Sequence, residues 1–447
     1  MSRAVEPATS APVASIAAEH TWLGDRFAPA TVRIAGGIIA AVDPFDASAE
    51  LVLPADAILL PALIDSHVHL NDPGRVEWEG FETGTAAAAA GGIGTVVDMP
   101  LNSVPVTTTL DAIAAKRAAA EGRLAVDVAL WGGAVPENLG ALEPLIGGGL
   151  RGVKCFLAPS GIDEFGHLDA AQLEAALSEL AGFDGLLLVH AEDEEYLGDA
   201  VGARRYADFL ASRPAASERT AILRLIEAAR RTGGRAHIVH LADAGALDAI
   251  RAAKADGVRL TVETCPHYLT LAAEDIPDAA PVFKCCPPIR ERANQDLLWG
   301  GVLDGTIDAI VSDHSPSTPE LKRQGDGDWG LAWGGISGVE TGFSSVWAEA
   351  SRRGVALEAI LPLMTTGPAG IAGIGDRGRI AEGLRADFAV VRPDETRTLD
   401  AEELHVRNRM SPWDGAELRG VVDATYLGGA PVYRRGEGVL SRTGRVI

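Results

Sequence analysis

Ile64-Asp65-Ser66-His67-Val68-His69-Leu70-Asn71-Asp72-Pro73-Gly74-Arg75 is the stretch on which the reading of the whole chain turns. An apolar run behind Leu60-Pro61 enters it as a strand, and Pro73-Gly74 turns the chain at its end. Side chains alternate faces along a strand, so His67 and His69 point the same way. Two neutral imidazoles side by side are natural ligands for a divalent metal. The same pair also arises by chance or with its nitrogens satisfied by backbone, so the rest of the chain must decide.

Outward from that strand the sequence alternates. Short apolar segments at 63–69, 95–99, 126–130, 152–157, 185–190, 236–240, 259–264 and 309–313 read as strands. Between most of them lie helix-length segments, such as 170–180, 218–231 and 244–255, with apolar residues three and four apart. Eight strands with helical crossovers predict an α/β fold, a (β/α)8 TIM-like barrel. A doubly wound open sheet would look similar strand by strand; the count of eight and the lack of a Gly-rich dinucleotide fingerprint favour the barrel. Both ends of the chain are different. Thr21-Trp22-Leu23, 30–34, 37–42 and 51–53 read as strands, and 387–391, 418–422 and 424–427 echo them. The expected organisation is one small β-sandwich domain built from residues 1–58 and 375–447, with the barrel at 59–374 between its halves.

Composition removes several classes of partner. The chain has 447 residues, 47% hydrophobic and 23% charged, which suits a soluble protein with a large core. Its 39 basic and 62 acidic residues give a net charge of -23, which argues against nucleic acid and against anionic membranes. Met1 to Pro12 carries Glu6 and two prolines where a signal peptide needs an apolar run, and 86–99 is too short and too Gly-broken to span a bilayer. Four cysteines, Cys285 and Cys286 adjacent, form no disulfide framework, so the expected compartment is the cytoplasm.

Polar residues fall at the C-terminal ends of the strands, where barrel active sites are built. His67 and His69 end the first strand, Lys154 interrupts the apolar fourth, His190 ends the fifth, His240 the sixth and Asp313 the eighth. A buried lysine is pushed toward its neutral form, and a neutral amine adds carbon dioxide to give a carbamate, a carboxylate-like ligand able to bridge two metals. The plain alternative is a lysine that snorkels to the barrel mouth.

These residues, in that order, resemble the metal-dependent cyclic amidohydrolases. More narrowly, residues 65–85 with Asn71-Asp72-Pro73-Gly74-Arg75 and Glu77-Trp78-Glu79-Gly80 are similar to the allantoinase branch. So are Asp98-Met99-Pro100-Leu101-Asn102-Ser103, Val153-Lys154-Cys155-Phe156, Pro287-Pro288-Ile289-Arg290, Ser312-Asp313-His314-Ser315-Pro316, Ala332-Trp333-Gly334-Gly335-Ile336 and Asn408-Arg409-Met410-Ser411-Pro412. The likeness runs from about residue 20 to the end. It implies two divalent metal ions, zinc first among zinc, cobalt, manganese and iron. His67, His69 and Asp313 would hold one and His190 and His240 the other, with N6-carboxylated Lys154 between them. It further implies opening of the hydantoin ring of allantoin to allantoate in purine catabolism, by a hydroxide held between the metals with Asp313 as proton shuttle. A homotetramer is implied as well. Asn71, Asn102, Cys286, Ser317 and Gly335 are the expected substrate contacts.

Two departures stand out. The family motif often continues Ser-Pro-Cys where this chain has Ser317, and related dihydroorotases typically carry, two residues past the second histidine, an arginine that holds the substrate carboxylate, where this chain has Asn71. The second argues against dihydroorotate. Hydantoinase or dihydropyrimidinase and dihydroorotase activities are the enzymatic alternatives, and a ligand-less scaffold relative is the non-enzymatic one, opposed by six intact ligand positions. His237 is expected to face away from His240 as a surface or interface residue, His267 to lie behind the ligands, and His314 to orient Asp313 or meet substrate. Cys155 is expected in the core, Trp78 and 328–333 over the mouth or at a subunit contact, and His20, His167 and His405 outside the chemistry.

Overall fold

The computed structural model describes residues 11–447; the signal-peptide reading of Met1 to Pro12 falls almost wholly outside them. Strands β1 (Ser15–Trp22), β2 (Phe27–Ala35), β3 (Ile38–Pro44), β4 (Leu51–Val52) and β5 (Ile58–Pro61) open the described chain. They are followed by β6 (Leu63–Val68), β7 (Ile93–Asp98), β8 (Asp127–Leu130), β9 (Gly132–Gly133), β10 (Val153–Phe156), β11 (Leu186–His190), β12 (Arg235–Ile238), β13 (Leu260–Thr264) and β14 (Ala309–Ile310). Strands β15 (Phe388–Thr398), β16 (Glu417–Leu427), β17 (Ala430–Arg434) and β18 (Gly438–Val439) close it.

The barrel is parallel throughout. One sheet runs β6-β7-β8 and another β14-β13-β12-β11-β10-β9. They join where β8 continues past Trp131 into β9, and again where Val68 bridges His314 and the His69 N–H donates to His314 O at 2.8 Å. Every residue of β6, β7, β8, β10 and β11 is buried, as expected for strands covered on both faces. The eighth strand is shorter than its sequence suggests, because Asp313 sits at φ 44° and breaks the extended run before His314 rejoins β6. His240, at φ 40°, likewise lies beyond the end of β12.

Helices seal the outside. Ala215–Thr232 buries Ala221, Ile222, Leu225, Ile226 and Ala229 along one stripe, each Leu or Ile worth about 1.5–3 kcal/mol of transfer free energy. It stops at Gly233, whose φ of 69° any β-carbon would strain. Ala170–Ala181 starts on a reciprocal cap between Asp169 and Gln172.

The strands of both ends form one mostly antiparallel sheet, ordered β18-β17-β16-β15-β5-β1-β2-β3 with β4 on β1. The two halves meet at β5 and β15, where Leu59 pairs with Val390. The sheet closes on itself: Ile39 N–H reaches Leu384 O at 2.8 Å and Val13 N–H reaches Gly429 O at 2.9 Å. Ile16, Val32, Ile39, Leu59, Phe388 and Tyr426 pack inside. Residues 444–447, at the end of the segment expected in the small domain, run along the start of β8, with Ile447 N–H on Val128 O at 2.9 Å.

Arg377 ties the foot of the barrel to the sheet. Its guanidinium donates to Asp127 at 2.7 Å, Thr95 at 2.9 Å and Asp376 at 2.9 Å, and stands 3.7 Å from Asp387. Asp127 and Asp387 are buried; Arg385 stands 3.0 Å from Asp387 but 3.8 Å from Asp127, so removing Arg377 takes from Asp127 its close cation in a low-dielectric environment. Because Arg385 still faces both carboxylates, Arg377→Ala is expected to lower unfolding free energy by about 2–3 kcal/mol, read as a shift of the urea midpoint. That falls short of the ~3–5 kcal/mol of a wholly unpaired buried charge. A loss below about 1 kcal/mol would show these carboxylates to be satisfied without it.

Candidate metal centre

The six residues singled out at the strand ends converge, and all six are buried. His67 Nε2 lies 3.1 Å and His69 Nε2 3.6 Å from Asp313 Oδ1. Lys154 Nζ is 3.2 Å from His67 Nε2. His190 Nδ1 faces His240 Nε2 at 3.0 Å, and the His67 and His240 rings stand 5.5 Å apart. Phe156, two residues after Lys154, stacks on His190 at 4.6 Å and floors the Lys154 ammonium at 5.1 Å.

Outer partners fix which nitrogen His67, His69 and His190 turn inward; among the described residues His240 Nδ1 has none. His69 Nδ1 meets Leu101 O at 2.7 Å; a carbonyl only accepts, so Nδ1 carries the proton and the Nε2 lone pair faces Asp313. His67 Nδ1 bonds Glu263, leaving Nε2 inward, and His190 Nε2 bonds Glu192 at 2.8 Å, leaving Nδ1 inward. Burial drives the His69 and His240 imidazoles well below their usual value, so both stay neutral. Burial likewise lowers the Lys154 ammonium, toward the free amine that reacts with carbon dioxide. Burial opposes ionisation of Asp313, but the neighbouring His67 charge and hydrogen bond outweigh it and hold the carboxyl well below the carboxylate range.

Inward-facing nitrogens of four imidazoles, which offer lone pairs when neutral, with a carboxylate and a lysine prone to carbamylation are a donor set that fits two divalent cations. Among the described residues, His67, His69 and Asp313 form a cluster with ligand atoms within 4.8 Å of one another, and Cys265, His267 and Asp313 form another. The second was not foreseen as such. His267 is buried beside Asp313, and among the described residues neither of its ring nitrogens is hydrogen-bonded.

A cavity of about 440 Å³ opens over the centre. Asn102, Cys286 and Gly335 line it; Asn71 and Ser317 do not. Asn71 instead receives the Asn102 side-chain amide at 3.3 Å and its backbone N–H at 3.4 Å, so it holds Asn102 in place. Ser317 is buried in a separate small cavity with Lys322 and Ser337. Gly335, at φ 115°, comes so close to Ser315 that an added β-carbon would lie 2.1 Å from its carbonyl oxygen.

The expectation for His237 is corrected. It is fully buried, with Nδ1 on Thr261 at 2.8 Å and Nε2 on Glu263 at 2.9 Å, because Glu263 inside β13 collects both His67 and His237. Sequence reasoning passed over Glu263 although its signal was there: a charge inside an apolar strand, as with Lys154. Glu192, two residues past His190, and Arg213 and Lys284 in the cavity wall were also missed. His314 bonds Glu79 at 3.1 Å, which assigns the Glu-Trp-Glu-Gly run a place behind Asp313. Trp78 packs edge-on against Trp333 at 5.0 Å beside the mouth, whereas Trp329 is fully buried on Phe209 and Tyr206.

Lys322 pins the segment over the mouth, donating to Trp333 O at 3.0 Å and to Gly335 O. Burial lowers its amine from 10.5 to about 7. The folded chain then binds fewer protons than the unfolded one between those values, so stability rises with pH across about 7 to 10.5. Urea midpoints of Lys322→Met are expected to lack that rise, worth at most about 1.36 kcal/mol per pH unit. Parallel curves for the two proteins would refute it.

The chain belongs to the amidohydrolase family, whose model matches residues 58–432. Within that family it belongs with the allantoinases. An allantoinase of Streptomyces avermitilis is 52% identical over 415 residues, covering 92% of this chain and 93% of that protein. An allantoinase of Saccharomyces cerevisiae is 43% identical over 389 residues, 85% and 84% of the two chains. Among solved structures, an L-hydantoinase (dihydropyrimidinase) from Arthrobacter aurescens superimposes with a TM-score of 0.91 at 28% identity, covering 98% of this chain and 99% of that one. These relatives and the barrel make this protein a hydrolase of the cyclic amide type. No helix among the described residues is long and apolar enough to cross a membrane.

Proposed function

We propose that this protein opens the hydantoin ring of allantoin to give allantoate. The observation that supports this best is the 52% identity to an allantoinase over nearly the full length of both chains. His67, His69 and Asp313 would hold one divalent cation, His190 and His240 a second, and Lys154, carboxylated on Nζ, would link them. When bound, the cations would polarise a carbonyl and lower the pKa of water from about 15.7 toward 7.

The residues supply the rest. Asp313, anionic and open to the cavity, takes the proton released as water attacks and delivers it to the departing ring nitrogen. Asn102, braced by Asn71, presents amide groups to the urea-like edge of the substrate, and backbone at Cys286 and Gly335 meets the ring. Phe156, Trp333 and Leu331 exclude bulk water from the cavity. The barrel forms the catalytic unit, and the sheet built from both ends of the described chain forms the small domain. We place the enzyme in the cytoplasm as a homotetramer, with zinc as the first metal to try.

The second reading is hydantoinase or dihydropyrimidinase activity, favoured by the solved structures. Dihydroorotate is less easily set aside than Asn71 suggested, since Arg213 and Lys284 bring cations to the cavity wall while Asn71 stands outside it. Ring-opening rates of the zinc- and bicarbonate-loaded protein on allantoin, hydantoin, dihydrouracil and dihydroorotate decide between them. A strong preference for allantoin supports the proposal; activity confined to another of the four replaces it.

A further inference from the structure

Two buried carboxylates stand behind the ligand histidines, and they are built differently. Glu263 joins the His67 ring to the His237 ring and also accepts the His240 backbone N–H at 3.3 Å, but makes no bond to the His240 ring. All three partners are sealed inside the barrel. Glu192 joins His190 to a residue of the cavity wall. Its Oε2 accepts from His190 Nε2 at 2.8 Å and from Arg213 Nη2 at 2.6 Å, while Oε1 accepts from Arg213 Nε at 3.1 Å. The guanidinium therefore grips the carboxylate with two parallel bonds, the geometry that fixes orientation as well as charge.

Arg213 is itself held. It follows the helix Tyr206–Ser212 and precedes Ala215–Thr232, and its carbonyl receives Arg290 Nη1 at 2.8 Å. The segment after His190 is stitched to the same place: Asp193 N–H donates to Ser217 Oγ at 2.9 Å, Ser217 Oγ donates to Asp193 O at 2.9 Å, and Arg224 donates to Asp193 at 2.8 Å. Among the described residues Arg213 Nη1 makes no hydrogen bond, and the side chain lines the cavity.

We propose that Arg213 is a positioning residue for the second cation: by gripping Glu192 it keeps His190 protonated on Nε2 and aims the Nδ1 lone pair at the point it shares with His240. The inference rests on the dinuclear reading above and goes beyond it, because it makes the two metal positions unequal. The His67 side is backed from within the barrel. The His190 side is backed from the wall that substrate touches, so a ligand engaging Nη1 acts on the grip and hence on the second metal.

Zinc occupancy tests this without reference to turnover. Wild type, Arg213→Gln, Arg213→Lys and Glu192→Gln are loaded with zinc and bicarbonate, dialysed against graded dipicolinate, and assayed for zinc per chain, with circular dichroism reporting the fold. Wild type is expected to hold two zinc ions. Arg213→Gln and Glu192→Gln are expected to release one of them at about 10–100-fold higher free zinc than wild type does, as for other partners of ligand histidines, and to keep the other. Arg213→Lys, which cannot form the paired bonds, is expected to fall between. Release of both ions together, or of neither, by a folded Arg213→Gln overturns the proposal. If Arg213→Gln does not fold, the nearly isosteric Glu192→Gln carries the same two outcomes. A wild type that holds fewer than two zinc ions instead removes the dinuclear reading.

Discussion

Asp313→Asn is expected to reduce allantoin turnover about 10³-fold, within the 10²–10⁴ range of a lost proton-transfer group. The substitution preserves shape and one acceptor oxygen, so Ser315 Oγ, 2.9 Å from Oδ1, keeps a partner and the fold is retained. What disappears is the charge and the capacity to take a proton. Wild-type Asp313 stays ionised because His67 stands 3.1 Å from its Oδ1 as a charged and hydrogen-bonded partner, and the amide offers His67 no counter-charge. The loss is expected in kcat more than in KM, since the group acts on the reacting atoms rather than on a remote part of the substrate. Steady-state kinetics on the zinc-loaded variant give the answer. A variant within tenfold of wild type would assign the proton to another group, and His267, buried without a partner beside Asp313, would be the first to try.

Lys154→Ala is expected to cost at least as much. Lewis-acid stabilisation is worth several kcal/mol, and each 1.36 kcal/mol is tenfold in rate, so a drop of about 10³ or more follows if the bridge is lost. Lys154 is fully buried among the ligands, and alanine leaves a void shaped for its side chain. Small carboxylic acids such as acetate fit that void and carry the charge of a carbamate, so millimolar acetate is expected to restore part of the rate to Lys154→Ala and none to Asp313→Asn. Mass spectrometry of the native wild type should also show 44 Da lost on acidification, the mass of carbon dioxide. A Lys154→Ala enzyme at wild-type rate without added acid would leave the lysine a merely structural residue.

Much of this architecture could be read from residue order because it rests on short-range regularities. Parallel strands buried on both faces must be apolar, so Lys154 in β10 and the histidines ending β6 and β11 stand out against their surroundings. Glu263 obeyed the same rule and was overlooked only because no metal-ligand pattern included it. Other features were hidden for a physical reason. Arg213 reaches Glu192 through tertiary packing of a helix end against the loop after β11, a contact that no spacing encodes. Asn71 was expected to touch substrate, yet at a φ of 61° it accepts from Asn102 and does not line the cavity. His237 looked peripheral because strand alternation separates it from His240, but β12 ends at Ile238, and beyond a strand's end alternation no longer applies.

The small domain has a consequence for synthesis. β5 pairs with β15 across about 330 intervening residues, and at about 5–20 residues per second the ribosome needs tens of seconds to deliver the partner. During that interval the entire barrel is made while β5 waits with one edge uncovered. An uncovered apolar edge is where nascent chains join one another, so the hazard in producing this protein lies in the waiting strand Ile58–Pro61 rather than in the barrel.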